Sequence, residues 1–255
     1  MINRAKLVEI IKPWALSKPH ICAAWEGGSA ATNRMDQYSD LDLTLVVDDD
    51  KVEDTFTDFE SFLTNQFQII RKYRLPEPAW HGFSQCFYQI DQLTPYLYLD
   101  IAVMKKSQPE KLMEEDRHGI AHVWIDKDNI YHPSPSSKEV INQRVNKMIE
   151  SIKQTDFIMM IEIEKGIERG LFLDVFPTYY SFIGRHMAIL LNALHRPEKV
   201  DFGLRYAQLD YDNEDRELIE KALKVSNIHE LKDSFDKIKA RYNNLLSHFD
   251  NNRKD

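Results

Sequence analysis

The chain has 255 residues, 43% of them hydrophobic, and a formal net charge of −8. That length suits one large or two modest domains with room for a buried core, and the acidic balance supplies no basic track for a long nucleic acid. No run approaches the ~20 apolar residues of a membrane span, and the two cysteines, Cys22 and Cys86, are too few for a disulfide scaffold or a zinc cluster.

Residues 2–14 interleave charged and apolar positions, which predicts an amphipathic helix and not a signal peptide, so a cytoplasmic location is expected. Residues 21–25, Ile-Cys-Ala-Ala-Trp, read as a buried strand leading into the turn Glu26-Gly27-Gly28-Ser29. Gly27 and Gly28 allow a tight turn and close backbone approach, and Ser29 adds a hydroxyl and an N–H suited to a phosphate.

The run Asp40-Leu-Asp-Leu-Thr-Leu-Val-Val47 alternates as a strand does. Leu41, Leu43, Leu45 and Val47 share one face, and Asp40, Asp42 and Thr44 the other, so two carboxylates project together. Such a pair suits Mg²⁺, a hard cation that takes oxygen ligands and keeps some of its waters. Two ions about 3.5–4 Å apart need more than two carboxylates, so a third acid is expected.

The acids of Asp48-Asp-Asp50 are expected to act as capping and dipole partners of a helix over residues 52–67, whose Val52, Phe56, Phe59, Leu63 and Phe67 form one stripe. Strands are predicted at 68–73, 86–90 and 97–104, with a proline- and glycine-bounded loop at 76–82. In that loop Trp80 and His81 could stack on a base or touch an acceptor; a plain connector is the simpler reading. Within Tyr96-Leu-Tyr-Leu-Asp-Ile-Ala-Val103 the same alternation puts Asp100 opposite the apolar face, beside Tyr98 and Ala102. If this strand neighbours the Asp40–Val47 run, all three carboxylates converge.

Gly28-Ser29, ten intervening residues, Asp40-Leu-Asp42 and a later strand aspartate together resemble the DNA polymerase β-type nucleotidyltransferase superfamily. The resemblance covers roughly the first half of the chain. It implies a small mixed sheet flanked by helices, two Mg²⁺ ions, and ATP or another NTP whose α-phosphate is attacked by an acceptor hydroxyl with loss of pyrophosphate. By that resemblance Gly27, Gly28 and Ser29 hold the triphosphate, and Asp40, Asp42 and Asp100 are the catalytic and metal-binding acids.

A hairpin is expected around residues 126–129. His132-Pro-Ser-Pro-Ser-Ser-Lys138 then breaks both periodicities and marks a boundary. Beyond it the chain reads helical: a stripe through Ile141, Val145, Met148, Ile149 and Ile152, then helices over 158–169, 178–194 (opened by Pro177), 213–225 and 227–249. Asn227-Ile-His-Glu230 has capping-box spacing. Lys165 could reach the triphosphate as a point charge; a solvated helix lysine is the simpler reading. Arg241 and His248 have the spacing of a helical RNase toxin motif, a pattern that arises easily by chance on such a helix.

The expected fold class is α+β: a mixed-sheet nucleotidyltransferase domain over residues 1–135, then a helical bundle over 136–255 that contributes to the substrate cleft. This order resembles the small-molecule nucleotidyltransferases that modify aminoglycosides or lincosamides. The implied reaction is transfer of AMP from ATP to a hydroxyl of a small molecule, with no long nucleic acid and no membrane as partner. Protein-directed nucleotidylation in a toxin–antitoxin or regulatory system, and a non-catalytic nucleotide-binding module, remain as other readings.

Overall fold

In the computed structural model, which describes residues 1–79, 81–108 and 112–251, the chain forms two units, residues 1–135 and 136–255. The first contains α1 (Arg4–Ser17), β1 (Ile21–Glu26), α2 (Gly28–Ala31), β2 (Leu41–Val47), α3 (Val52–Thr64), β3 (Ile69–Arg74), β4 (Ser84–Ile90), β5 (Leu99–Lys105), α4 (Glu115–His118) and β6 (His122–Asp126). Its sheet runs β3-β4-β5-β2-β1-β6. Only the β2/β5 pairing is parallel, so the sheet is mixed and the fold class is α+β.

Alternation decides which residues enter the core. Leu41, Leu43, Leu45 and Val47 of β2 and Leu99, Ile101 and Val103 of β5 bury against Leu7, Ile11 and Trp14 of α1 and Phe56, Phe59 and Leu63 of α3. Asn3 caps α1, its side chain accepting the Lys6 N–H at 2.9 Å. On the opposite face a smaller cluster, Ala23, Trp25, Val46, Phe83, Ala102 and Met104, covers the C-terminal halves of β2 and β5. The N-terminal ends of these two strands, where Asp42 and Asp100 lie, fall outside that cluster.

Two local expectations change. The Asp48–Asp50 acids do not cap α3: its N-cap is Lys51 with no side-chain cap bond, and the first-turn acids are Glu53 and Asp54. Asp49 instead accepts the Ser107 N–H at 3.0 Å, so a neighbouring loop competes for it. No hairpin forms around residues 126–129, because β6 pairs with β1 and Asp126 accepts the Ile130 and Tyr131 N–H groups at 2.6 and 3.1 Å, turning the chain away.

The second unit comprises α5 (Lys138–Lys153), α6 (Asp156–Glu168), α7 (Phe172–Ser181), a π-helical stretch Phe182–Met187, α8 (Ala188–His195), a 3₁₀ turn Pro197–Lys199, α9 (Ala207–Asp210), α10 (Asn213–Ala222) and α11 (Ile228–Asn251). Its core gathers Val145, Ile149, Ile152, Tyr179, Phe182, Phe235, Ile238 and Tyr242. Pro177 does not open a helix but lies inside α7. The buried Val175 and Tyr179 on either side hold the helix through it. Asn227 caps α11, accepting the His229 and Glu230 N–H groups at 3.0 Å each, while Glu230 reaches back to the Ser226 N–H at 2.8 Å.

Candidate active site

Parallel pairing of β2 with β5 places Asp42 directly beside Asp100 in register, at the same end of both strands. Asp40 immediately precedes β2. Its backbone carbonyl accepts the Arg4 Nε–H at 2.8 Å, and Arg4 also donates to Glu26 Oε2 at 2.6 Å. Glu26 is buried, and its other oxygen accepts the Trp124 Nε1–H at 2.7 Å. A buried charge held on both oxygens thus ties α1, β1 and β6 to the start of β2, just ahead of the glycine turn.

That turn closes onto the acids. The Gly27 N–H donates to the Asp42 carbonyl at 2.9 Å. Gly28 has φ +55°, and a Cβ there would stand 1.9 Å from Asp42 Oδ2, so only glycine fits. Ser29 follows with its Oγ buried and without a hydrogen-bond partner. A buried hydroxyl without a protein partner is costly unless a ligand satisfies it, so this oxygen, in a glycine turn next to Asp42, fits a polar ligand.

Asp100 Oδ1 accepts the Gln85 Nε2–H at 2.6 Å, and Gln85 Oε1 lies 2.9 Å from His81 Nε2. Burial, with the nearby charge of Asp40 adding to it, raises the Asp100 carboxyl to about 6, although the Gln85 bond pulls it down. Burial also raises the Tyr98 hydroxyl, helped by the nearby carboxylates of Asp40, Asp100 and Asp42. Hard carboxylate oxygens on adjacent strands, the glycine cradle and the orphan hydroxyl fit Mg²⁺ with a phosphate ligand.

The His81 ring stacks on Phe83 with centroids 3.7 Å apart, and it bonds to Gln85. Trp80, named with it, lies outside the described residues. Sequence reasoning missed Gln85 and Glu26, which carry no motif and gain meaning only through their cross-strand partners.

Residues 1–170 match the family model of streptomycin adenylyltransferase. The chain belongs to that family. It is therefore an antibiotic-modifying nucleotidyltransferase, with a nucleotide and a small molecule as substrates. Comparison with the curated proteins yields no match. The family match runs past the first unit through α5 and α6. Among the described residues no helix is long and apolar enough to cross a membrane.

The second unit of this adenylyltransferase family member carries further charged residues. Lys165 is on the exposed side of α6, paired with Glu162 at 2.7 Å. In the second unit His195, Asp212 and Asp215 bring metal-type ligand atoms within 4.8 Å of one another. Arg241 already grips both oxygens of the buried Asp215, at 2.8 and 2.7 Å, and His195 Nε2 lies 2.8 Å from it. A guanidinium thus fills the place a cation would take, and the group is an ion-pair network joining α8, α10 and α11. That network also accounts for Arg241 structurally.

Proposed function

We propose that this chain transfers AMP from ATP to a hydroxyl of a small cationic antibiotic of the streptomycin class, releasing pyrophosphate, with Asp40, Asp42 and Asp100 as its Mg²⁺-binding acids. The observation that carries this reading is the in-register pair Asp42 and Asp100, with the Asp42 side chain against the Gly28 backbone and the buried Ser29 Oγ next in the turn. Family membership favours the antibiotic as acceptor over a protein.

Ser29 Oγ and the backbone of the glycine turn bind and orient the triphosphate. Asp40 and Asp42, at the start of β2, and Asp100, on β5, would hold the metal through hard carboxylate oxygens. When bound, Mg²⁺ neutralises charge on the transferring phosphoryl group and makes the attacking oxygen more acidic. The buried Arg4–Glu26 brace keeps the Asp40 backbone in place, so positioning and fixed electrostatics supply most of the rate. The Lys165 ammonium pairs with Glu162 in solvent, as a solvated helix lysine does.

Pyrophosphate release, screened over the four NTPs with streptomycin, other aminoglycosides, lincosamides and neutral hydroxylated compounds, tests the proposal. ATP with an aminoglycoside is expected to give product, and Asp42→Asn to lose transfer while keeping its fold. Wild-type-like turnover in Asp42→Asn would overturn the site. Label entering protein and no small solute would overturn the acceptor, and ATP·Mg²⁺ binding without pyrophosphate release under any condition would overturn catalysis itself.

A further inference from the structure

We propose that Gln85, oriented by His81, is a positioning residue that fixes which way the Asp100 carboxylate faces its ligands. The inference rests on the reading of Asp100 as a metal-binding acid.

Gln85 in β4 pairs with Ala102 of β5, and Asp100 is the same-face diagonal neighbour two residues along. Its amide nitrogen meets Asp100 Oδ1 at 2.6 Å, a short distance for a neutral donor on a carboxylate. A glutamine amide alone does not specify which end faces the acid, since its oxygen and nitrogen are nearly the same size. His81 removes that freedom. The Phe83 N–H donates to His81 Nδ1 at 3.4 Å, so a neutral ring carries its proton on Nε2. That Nε2–H donates to Gln85 Oε1 at 2.9 Å. With Oε1 engaged, the amide can offer Asp100 only its N–H.

The proton direction is therefore set at every link, from the Phe83 backbone to His81, to Gln85, to Asp100. Stacking of His81 on Phe83, with the rings 22° from parallel, holds the far end. The chain engages Oδ1 and leaves Oδ2 outside it. A neutral amide suits this job because it orients the carboxylate without cancelling the negative charge a cation needs, as a lysine or arginine would. The arrangement follows a general pattern in which hydrogen-bonded partners behind a metal ligand fix its orientation, and their loss costs about 10–100-fold in metal affinity or activity.

The test uses the full chain with Gln85→Leu, which removes the donor, and His81→Phe, which keeps a ring on Phe83 but frees the amide. The readouts are kcat and KM for ATP and acceptor, affinity for Mg²⁺ alone by calorimetry, and the unfolding midpoint. Gln85→Leu is expected to lower kcat and Mg²⁺ affinity about 10–100-fold with KM for the acceptor within about twofold. His81→Phe should show the same pattern more weakly, and both should unfold as the parent does. Unchanged kcat and Mg²⁺ affinity would overturn the inference, and so would losses that track a lowered unfolding midpoint. Should Gln85→Leu not fold, His81→Phe decides. Asp100→Asn runs in parallel: if it keeps full turnover the reading of the acid fails, whereas a dead Asp100→Asn beside a normal Gln85→Leu sinks only the positioning role.

Discussion

Asp100 is held in a state that costs the folded protein stability. Burial, reinforced by the charge of Asp40, lifts its carboxyl from 3.8 to about 6. The folded value lies above the unfolded one, so the contribution of this group to stability is fully present below about pH 4 and is lost as pH rises through about 6. Without metal at pH 8 the penalty is on the order of 3 kcal/mol. Metal-free Asp100→Asn should therefore unfold at a higher temperature than the parent at pH 8, with the difference vanishing near pH 4. Mg²⁺, which binds the carboxylate and not the amide, should narrow the gap at pH 8. Calorimetry of both proteins at the two pH values checks this; a less stable Asn variant at pH 8 would show that the buried charge is already compensated. The same residue was visible in the sequence by its place in an alternating strand. Gln85 was not, because its partner is on another strand and a glutamine in alternation looks like any solvent-facing residue.

Element-level features divide the same way between what pattern reveals and what only packing decides. Strong stripes, such as Val52, Phe56, Phe59 and Leu63 in α3, appear in the structure as read, since a single face buries against one sheet. The course of α7 through Pro177, its continuation into a π-helical stretch, and the β6 pairing with β1 have no local signature. Close approach of α6 to α7 is another case, and it decides a substitution. In isolation Gly166→Ala in α6 should gain about 1 kcal/mol of helix propensity. A Cβ at residue 166 would, however, stand 2.6 Å from Val175 Cβ and 2.7 Å from its Cγ2. Val175 is buried and β-branched, so it cannot rotate away, and forced overpacking of this kind costs about 1–3 kcal/mol. Net destabilisation by about 1 kcal/mol is expected, read as a lower midpoint in urea. A stabilised variant would mean that α6 and α7 part easily and that the small residue serves no packing purpose.

At the scale of the whole molecule the informative quantity is charge. A net −8 over 255 residues repels an anionic nucleotide at long range and attracts a cationic acceptor, so the two substrates of the proposed reaction should respond oppositely to salt. Mg²⁺ offsets part of the first effect by neutralising the triphosphate before encounter. Nothing offsets the second, and a polycationic aminoglycoside should be drawn toward the acidic surface over a distance set by the screening length, about 30 Å at 0.01 M salt and about 10 Å at 0.1 M. With ATP and Mg²⁺ held saturating, kcat/KM for such an acceptor should fall several-fold between about 0.01 and 0.3 M salt, while kcat stays nearly constant. An uncharged hydroxylated acceptor measured in the same series should show little change, which separates long-range attraction from a salt effect on the catalytic groups. A flat salt response for the cationic acceptor would mean that the acidic composition serves solubility alone, and that recognition depends on short-range contacts.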